Sequence, residues 1–215
     1  MVKSSPSNPF NKALKALSDG YFYTDSIEIS NKYLFDAIQI AEKQHPIDTF
    51  FLGSSYNDLG MNFQETGQNE AAREFLLKAV DALKNSVHAE SLADAKSNLA
   101  TLYHSEGNYE QAIQLFKEVY EIDVKTGNKN RQSSSLNGLG RMYVDWGKYE
   151  TGLEFYFSSI ALTDTVNERK ILAIRYNNVG MVYQLMQNHA EAIKWISRAK
   201  QIEEEEGETL KIGIR

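Results

Sequence analysis

The chain contains no cysteine in 215 residues and only three prolines, Pro6, Pro9 and Pro46. Without cysteine it has no disulfides and no thiolate metal sites. Long apolar runs are missing as well. The longest are a few residues, far short of the roughly 20 that a membrane-spanning helix needs. The opening stretch from Met1 to Pro9 is polar and lacks the apolar segment of a secretory leader. Basic charge is in deficit, since 23 Lys and Arg against 29 Asp and Glu leave a formal net charge of −6. That balance argues against a nucleic-acid partner, which would want a concentrated basic face.

Groups that carry chemistry are equally sparse. The four histidines are His45, His88, His104 and His189, and none has another four residues away to share a metal on one helix face. His88-Ala89-Glu90 and His189-Ala190-Glu191 match half of a zinc deaminase signature, but its cysteine half cannot exist here. Gly138 and Gly140 are followed by no Gly-Lys-Ser/Thr of a phosphate loop, and Ser133, Ser134 and Ser135 lack the setting of a nucleophile. We expect no catalytic residue, no metal and no cofactor. The densest charge cluster, Glu203 to Glu206, reads as the solvated end of a helix.

What the chain has is a period. Leu59-Gly60, Leu99-Ala100, Leu139-Gly140 and Val179-Gly180 stand 40 residues apart, each followed at one offset by an aromatic: Phe63, Tyr103, Tyr143, Tyr183. Twelve residues past each small residue comes another, Ala72, Ala112, Gly152 and Ala192, and four further on a large one, Leu76, Phe116, Tyr156 and Ile196. Small residues let two helices approach and the large ones fill the space beside them. Turn signals fall between: Gly67-Gln68-Asn69, Gly107-Asn108 and Gly147-Lys148, where glycine supplies a left-handed helix end and a following asparagine can cap the next helix. Each unit is expected to be helix, tight turn, helix. With no proline downstream of Pro46, Gly127, Asn167 and Gly207 are expected to end the second helices. Four units span residues 48–87, 88–127, 128–167 and 168–207. A divergent one covers 1–47, in which Leu17, Ser18 and Tyr21, then Ser30, Leu34 and Ala37, match at an offset of 42. Residues 208–215 read as the start of a further helix that then stops, and a cut from a longer protein is favoured over a cap.

Tyr56-x-x-Leu59-Gly60-x-x-Phe63 with Ala72-x-x-x-Leu76, and Tyr176-x-x-Val179-Gly180-x-x-Tyr183 with Ala192-x-x-x-Ile196, resemble the tetratricopeptide signature. The unit exceeds the common one of about 34 residues, which matches the long-repeat branch of kinesin light chains, Pins/LGN adaptors and bacterial signalling proteins. HEAT and armadillo repeats are the rival reading, but they do not require this spacing of small and aromatic residues. The resemblance implies an all-α fold, a right-handed α-solenoid of antiparallel helix pairs with about five repeats. It also implies that the first helices line a concave face that holds a peptide or protein segment.

On that face, counting from the Leu-Gly anchors, the candidate peptide-binding residues are Asn57, Asn98, Thr101, Asn137, Arg141, Asn177, Asn178, Met181 and Gln184. An amide offers a donor and an acceptor and suits a peptide backbone without demanding a particular side chain. Asp58 and Gly138 interrupt the ladder of asparagines. The competing reading has the same asparagines capping turns or bonding the backbone of the neighbouring repeat. Arg141 is the one fixed cation of the set, suited to a partner's carboxylate.

Three functions from different classes follow. The first is a non-catalytic interaction module with a protein or peptide partner, no nucleic acid and no membrane insertion. The second is a sensor or oligomerisation portion of a larger bacterial signal-transduction or transcription regulator, which would make the chain a homo-oligomer. The third, a phosphatase-like enzyme of the peptide-controlled tetratricopeptide regulators, is weakest, because residues 1–47 leave little room for their additional N-terminal bundle. A cytoplasmic location is the default, and a periplasmic one follows if a leader has been removed.

Overall fold

The computed structural model describes residues 9–24, 26–165 and 167–212, the last five by backbone alone. Residues 1–8, which include Pro6, and 213–215, which include Ile214, lie outside the described residues. Among those described, the fold is an all-α solenoid of helix pairs: α1 (Pro9–Phe22), α2 (Ile27–Glu42), α3 (Thr49–Glu65), α4 (Asn69–Leu83), α5 (Ala89–Ser105), α6 (Tyr109–Thr126), α7 (Lys129–Asp145), α8 (Tyr149–Leu162), α9 (Arg169–Leu185) and α10 (His189–Ile212). The chain divides into two compact units, residues 1–115 and 116–215, with the boundary inside α6.

The turn between paired helices follows one recipe. Gly67, Gly107 and Gly147 take φ of 73°, 79° and 79°, and the next residue's N–H reaches back to the carbonyl of the aromatic at the end of the first helix. Those bonds are Gln68 to Phe63, Asn108 to Tyr103 and Lys148 to Tyr143, each 2.8 Å, a Schellman closure that satisfies helix-end carbonyls. The fourth copy uses Gln187 at φ 61°, a conformation that costs a residue with a Cβ. Capping by the residue after the turn is uneven: Asn188 accepts from Glu191 N at 3.3 Å, whereas Gln68 and Lys148 give no side-chain cap. Asp48 and Asn128 cap α3 and α7 instead.

Inside each unit the cores lie between successive helices. In unit 1, Leu14, Leu34, Ala37, Ile38 and Ala41 of α1 and α2 join Phe51, Leu52 and Leu59 of α3, while Ala72 and Leu76 of α4 meet Leu99 and Leu102 of α5. In unit 2, Val144, Leu153 and Tyr156 pack on Val179 and Val182 of α9. The small-to-large pairing is direct. A Cβ built on Gly60 would stand 2.6 Å from Leu76 Cγ, one on Gly140 2.6 Å from Tyr156 Cδ1, and one on Gly180 2.5 Å from Ile196 Cγ1. The period therefore marks where two helix backbones come closest.

Two expected helix ends differ. Gly127 does follow the last residue of α6 with φ 73°. Asn167 does not end α8, which stops at Leu162: Thr163 turns extended, ψ 131°, its hydroxyl buried on Ser159 O at 2.9 Å. Asn167 instead closes the loop on Asp164, with Nδ2 to Oδ2 at 2.7 Å. Gly207 does not end α10 either. It keeps right-handed backbone, and the helix runs on to Ile212, so residues 208–212 continue α10 rather than begin a new helix. Side-chain bonds support the turns just before it: Lys200 to Glu204, Gln201 to Glu205, and Arg169 on Glu205 and Glu206.

Candidate ligand-binding face

The candidate residues all lie on first helices: Asn57 on α3, Asn98 and Thr101 on α5, Asn137 and Arg141 on α7, and Asn177, Asn178, Met181 and Gln184 on α9. The asparagines sit in mid-helix, so they cap no turn. Instead they pair across repeats. Asn98 Nδ2 donates to Asn57 Oδ1 at 2.9 Å in unit 1, and Asn178 Nδ2 donates to Asn137 Oδ1 at 3.1 Å in unit 2. Donor and acceptor are 41 residues apart in both pairs, and the pairs themselves are 80 apart, so the same two helix positions are used each time. The side-chain amides of Asn57 and Asn177 donate to the Met61 and Met181 sulfurs, 3.6 and 3.7 Å away. The pairing uses only one donor and one acceptor of each couple, and Oδ1 of Asn98 and Asn178 accepts no hydrogen bond among the described residues.

Other candidates behave differently. Thr101 turns its hydroxyl onto Ser97 O, 2.9 Å away in its own helix. Asn177, Met181, Gln184 and Arg141 are exposed. The charge of Arg141 falls on Tyr156, whose phenol is pushed up to about 12 by burial first and Asp145 second, with Arg141 pulling the other way.

At the N-terminal end of unit 1 the same register holds an ion pair that a reading of asparagines alone misses. Lys15 of α1 donates to Asp58 of α3. Lys15 lies 42 residues before Asn57, and Asp58 lies 40 before Asn98, so this pair replaces the amide pair position for position. The offset of 42 already found for the first hairpin was the signal. Burial pushes the Asp58 carboxyl up, the Lys15 ammonium draws it back, and Asp19 adds to the rise. Beside it a cavity of about 210 Å³ is lined by Ser18, Asp19, Phe22, Tyr23, Asp58 and Asn62, among others. Asn62 Nδ2 donates to Ser30 Oγ at 3.0 Å and Asn31 Oδ1 at 2.7 Å, tying α3 to α2.

A second feature without a sequence signal is structural. Asp123 of α6 is 1% exposed and receives Arg131 Nε at 2.8 Å and the hydroxyl of Ser135, while Gln132 Nε2 donates to its carbonyl at 3.1 Å. It locks α6 to the start of α7. Among the described residues no three His, Asp or Glu side chains are placed to hold a metal, and no helix is long and apolar enough to cross a membrane.

This geometry defines a repeat-built interaction fold, and the comparisons agree. Tetratricopeptide repeat profiles match residues 52–85, 91–163 and 173–206, together well over half of the chain. The chain belongs to the tetratricopeptide repeat family. No curated protein matches it in sequence. Among solved structures it is similar to BtubC (BKLC) from P. vanneervenii, with TM-score 0.83 and 20% identity over 91% of this chain and 80% of that one. A Podosopora anserina kinesin light chain protein with nearly identical TPR-like repeats gives TM-score 0.77 and 19% identity over 92% and 96%. The Pyrococcus horikoshii STAND protein PH0952, described as having a tetratricopeptide repeat sensor, gives TM-score 0.78 and 18% identity over 89% of this chain and 29% of that one. At these identities the likeness is one of fold. Tetratricopeptide repeats are protein–protein interaction modules, and this chain carries that scaffold.

Proposed function

We propose that the chain is a non-catalytic binding module that holds an extended peptide or protein segment along the first-helix face of each unit, the concave side in tetratricopeptide arrays. The observation that carries this reading is the repeated amide pair, Asn57 with Asn98 and Asn137 with Asn178, at one register. Each pair fixes its two side chains by one hydrogen bond. That lowers the entropy a ligand must overcome and leaves the outer carbonyl oxygens to accept backbone N–H groups. Exposed Asn177, Met181 and Gln184 extend the face on α9, with the adaptable thioether suited to side chains of varied shape. Arg141 supplies a cation for a carboxylate of the ligand. Where the register changes to Lys15 and Asp58, the face becomes ionic, so the ligand's polarity changes along its length.

The test replaces Asn98 and Asn178 by Ala and measures binding of peptides selected from a random library against the wild-type chain. Each asparagine contributes a hydrogen bond worth about 0.5–1.5 kcal/mol, so the double variant is expected to weaken binding about fivefold or more with helix content unchanged. Selected peptides that bind the double variant as tightly as the wild type overturn the assignment. A sensor within a larger regulator, as in the Pyrococcus horikoshii STAND protein, would employ the same face.

A further inference from the structure

The second-helix side of unit 1 carries a groove that the amide register does not use. A cavity of about 380 Å³ between α2 and α4 is lined by Phe35, Asp36, Gln39 and Glu42 on one side and by Tyr56, Phe75 and Lys78 on the other. Its floor is aromatic. Phe35 meets Phe75 edge-on with centroids 5.7 Å apart, and Phe75 in turn stacks on Phe63 at 5.5 Å and lies 6.2 Å from Tyr56. Phe35 nevertheless remains 44% exposed.

Two rings of this chain, one of them in this groove, are covered by its own cations. Lys78 Nζ lies 4.9 Å from the Phe75 centroid, and Arg198 Cζ lies 4.6 Å from that of Trp195, each three residues after its aromatic. Three residues after Phe35 stands Ile38, so no cation follows this ring at that spacing. Lys78 is engaged by Glu74 at 2.6 Å, and Glu42 accepts the Tyr56 hydroxyl at 2.6 Å. Lys32, one turn before Asp36, forms no ion pair with it, and among the described residues no cation pairs with Asp36 or Glu42. The groove therefore combines an exposed ring with two carboxylates six residues apart on one helix, about 9 Å along its axis.

We propose that this groove is a binding site for an arginine side chain of a partner protein. A planar guanidinium stacks on the open Phe35 ring and at the same time directs its N–H fork to the carboxylates of Asp36 and Glu42. The Gln39 carbonyl, between them, accepts a further N–H. An ammonium, a compact and strongly hydrated point charge, gains less from the ring.

The test titrates Nα-acetyl-arginine methylamide into the full chain and follows aromatic proton–carbon shifts, with the citrulline and lysine counterparts as comparisons. The expected result is a saturable shift at Phe35, Phe75 and Tyr56. It should be absent with citrulline, weaker with lysine, and right-shifted about fivefold or more in Asp36→Asn/Glu42→Gln. Both substituted side chains are exposed, so melting and helix content serve as the check that the fold is intact. Equal shifts with citrulline, shifts centred on Asp19 and Asp58 instead, or an unchanged titration in the double variant would each overturn the proposal.

Discussion

Replacing Gly140 by Ala puts the repeat packing under the sharpest strain that one methyl can apply. The new Cβ would lie 2.6, 2.8 and 3.0 Å from Cδ1, Cε1 and Cγ of Tyr156, where carbon atoms prefer about 3.5–4.0 Å. Tyr156 is 4% exposed and held among Val144, Leu153, Val179 and Val182, so its ring cannot step aside without moving α9. Overpacking of this kind costs about 1–3 kcal/mol, against about 1 kcal/mol gained from removing a glycine from a helix interior. The net expectation is destabilisation by up to about 2 kcal/mol. Gly207→Ala is the control, because a Cβ there meets nothing within 4 Å inside α10; it should stabilise by about 0.5–1 kcal/mol. Urea unfolding followed by fluorescence reads both variants in the same unit, since Trp146 and Trp195 both lie in residues 116–215. A Gly140→Ala protein as stabilised as the Gly207→Ala one would refute the close approach of α7 and α8.

Three further outcomes follow from named contacts. Gln187→Gly relieves a left-handed residue at the α9–α10 turn and should raise stability by about 0.5–1 kcal/mol in urea titration. Asp123→Ala removes the Arg131 ion pair and leaves the Ser135 hydroxyl beside a buried gap, and should cost about 2–4 kcal/mol, measured by thermal unfolding, with Asp123→Asn milder. Because the Asp58 carboxyl is raised in the folded chain, the folded state binds more protons than the unfolded one, so this group lowers stability as pH rises through and above the ordinary carboxylate range. Asp58→Asn should remove that slope, seen as a melting difference from wild type that shifts in the variant's favour as pH rises from acid to neutral.

The fold was legible because the information sits in size. Gly60 with Leu76, Gly140 with Tyr156 and Gly180 with Ile196 are spaced so that small meets large across a hairpin, and the structure places each pair in contact. The Gly67, Gly107 and Gly147 turns were legible for a related reason, since only a residue without Cβ takes their φ cheaply. The candidate face was legible in register but not in partnership. That Asn57 and Asn98 bond depends on how far apart α3 and α5 lie, which no residue type encodes. Lys15 and Asp58 were readable only through the offset of 42, since neither side chain is an amide. Asp123 looked like any acid on a charged helix until Arg131 and Ser135 closed over it. Gly207 misled because a glycine permits a left-handed end without requiring one.

The most direct measurement is to map where a selected peptide sits. Backbone amide shifts of the labelled chain on peptide addition should move at Asn57, Asn98, Asn137, Asn178 and their neighbours on α3, α5, α7 and α9. Shifts confined to the second helices α4, α6, α8 and α10, or binding that survives Asn98→Ala/Asn178→Ala unchanged, would contradict a first-helix binding face.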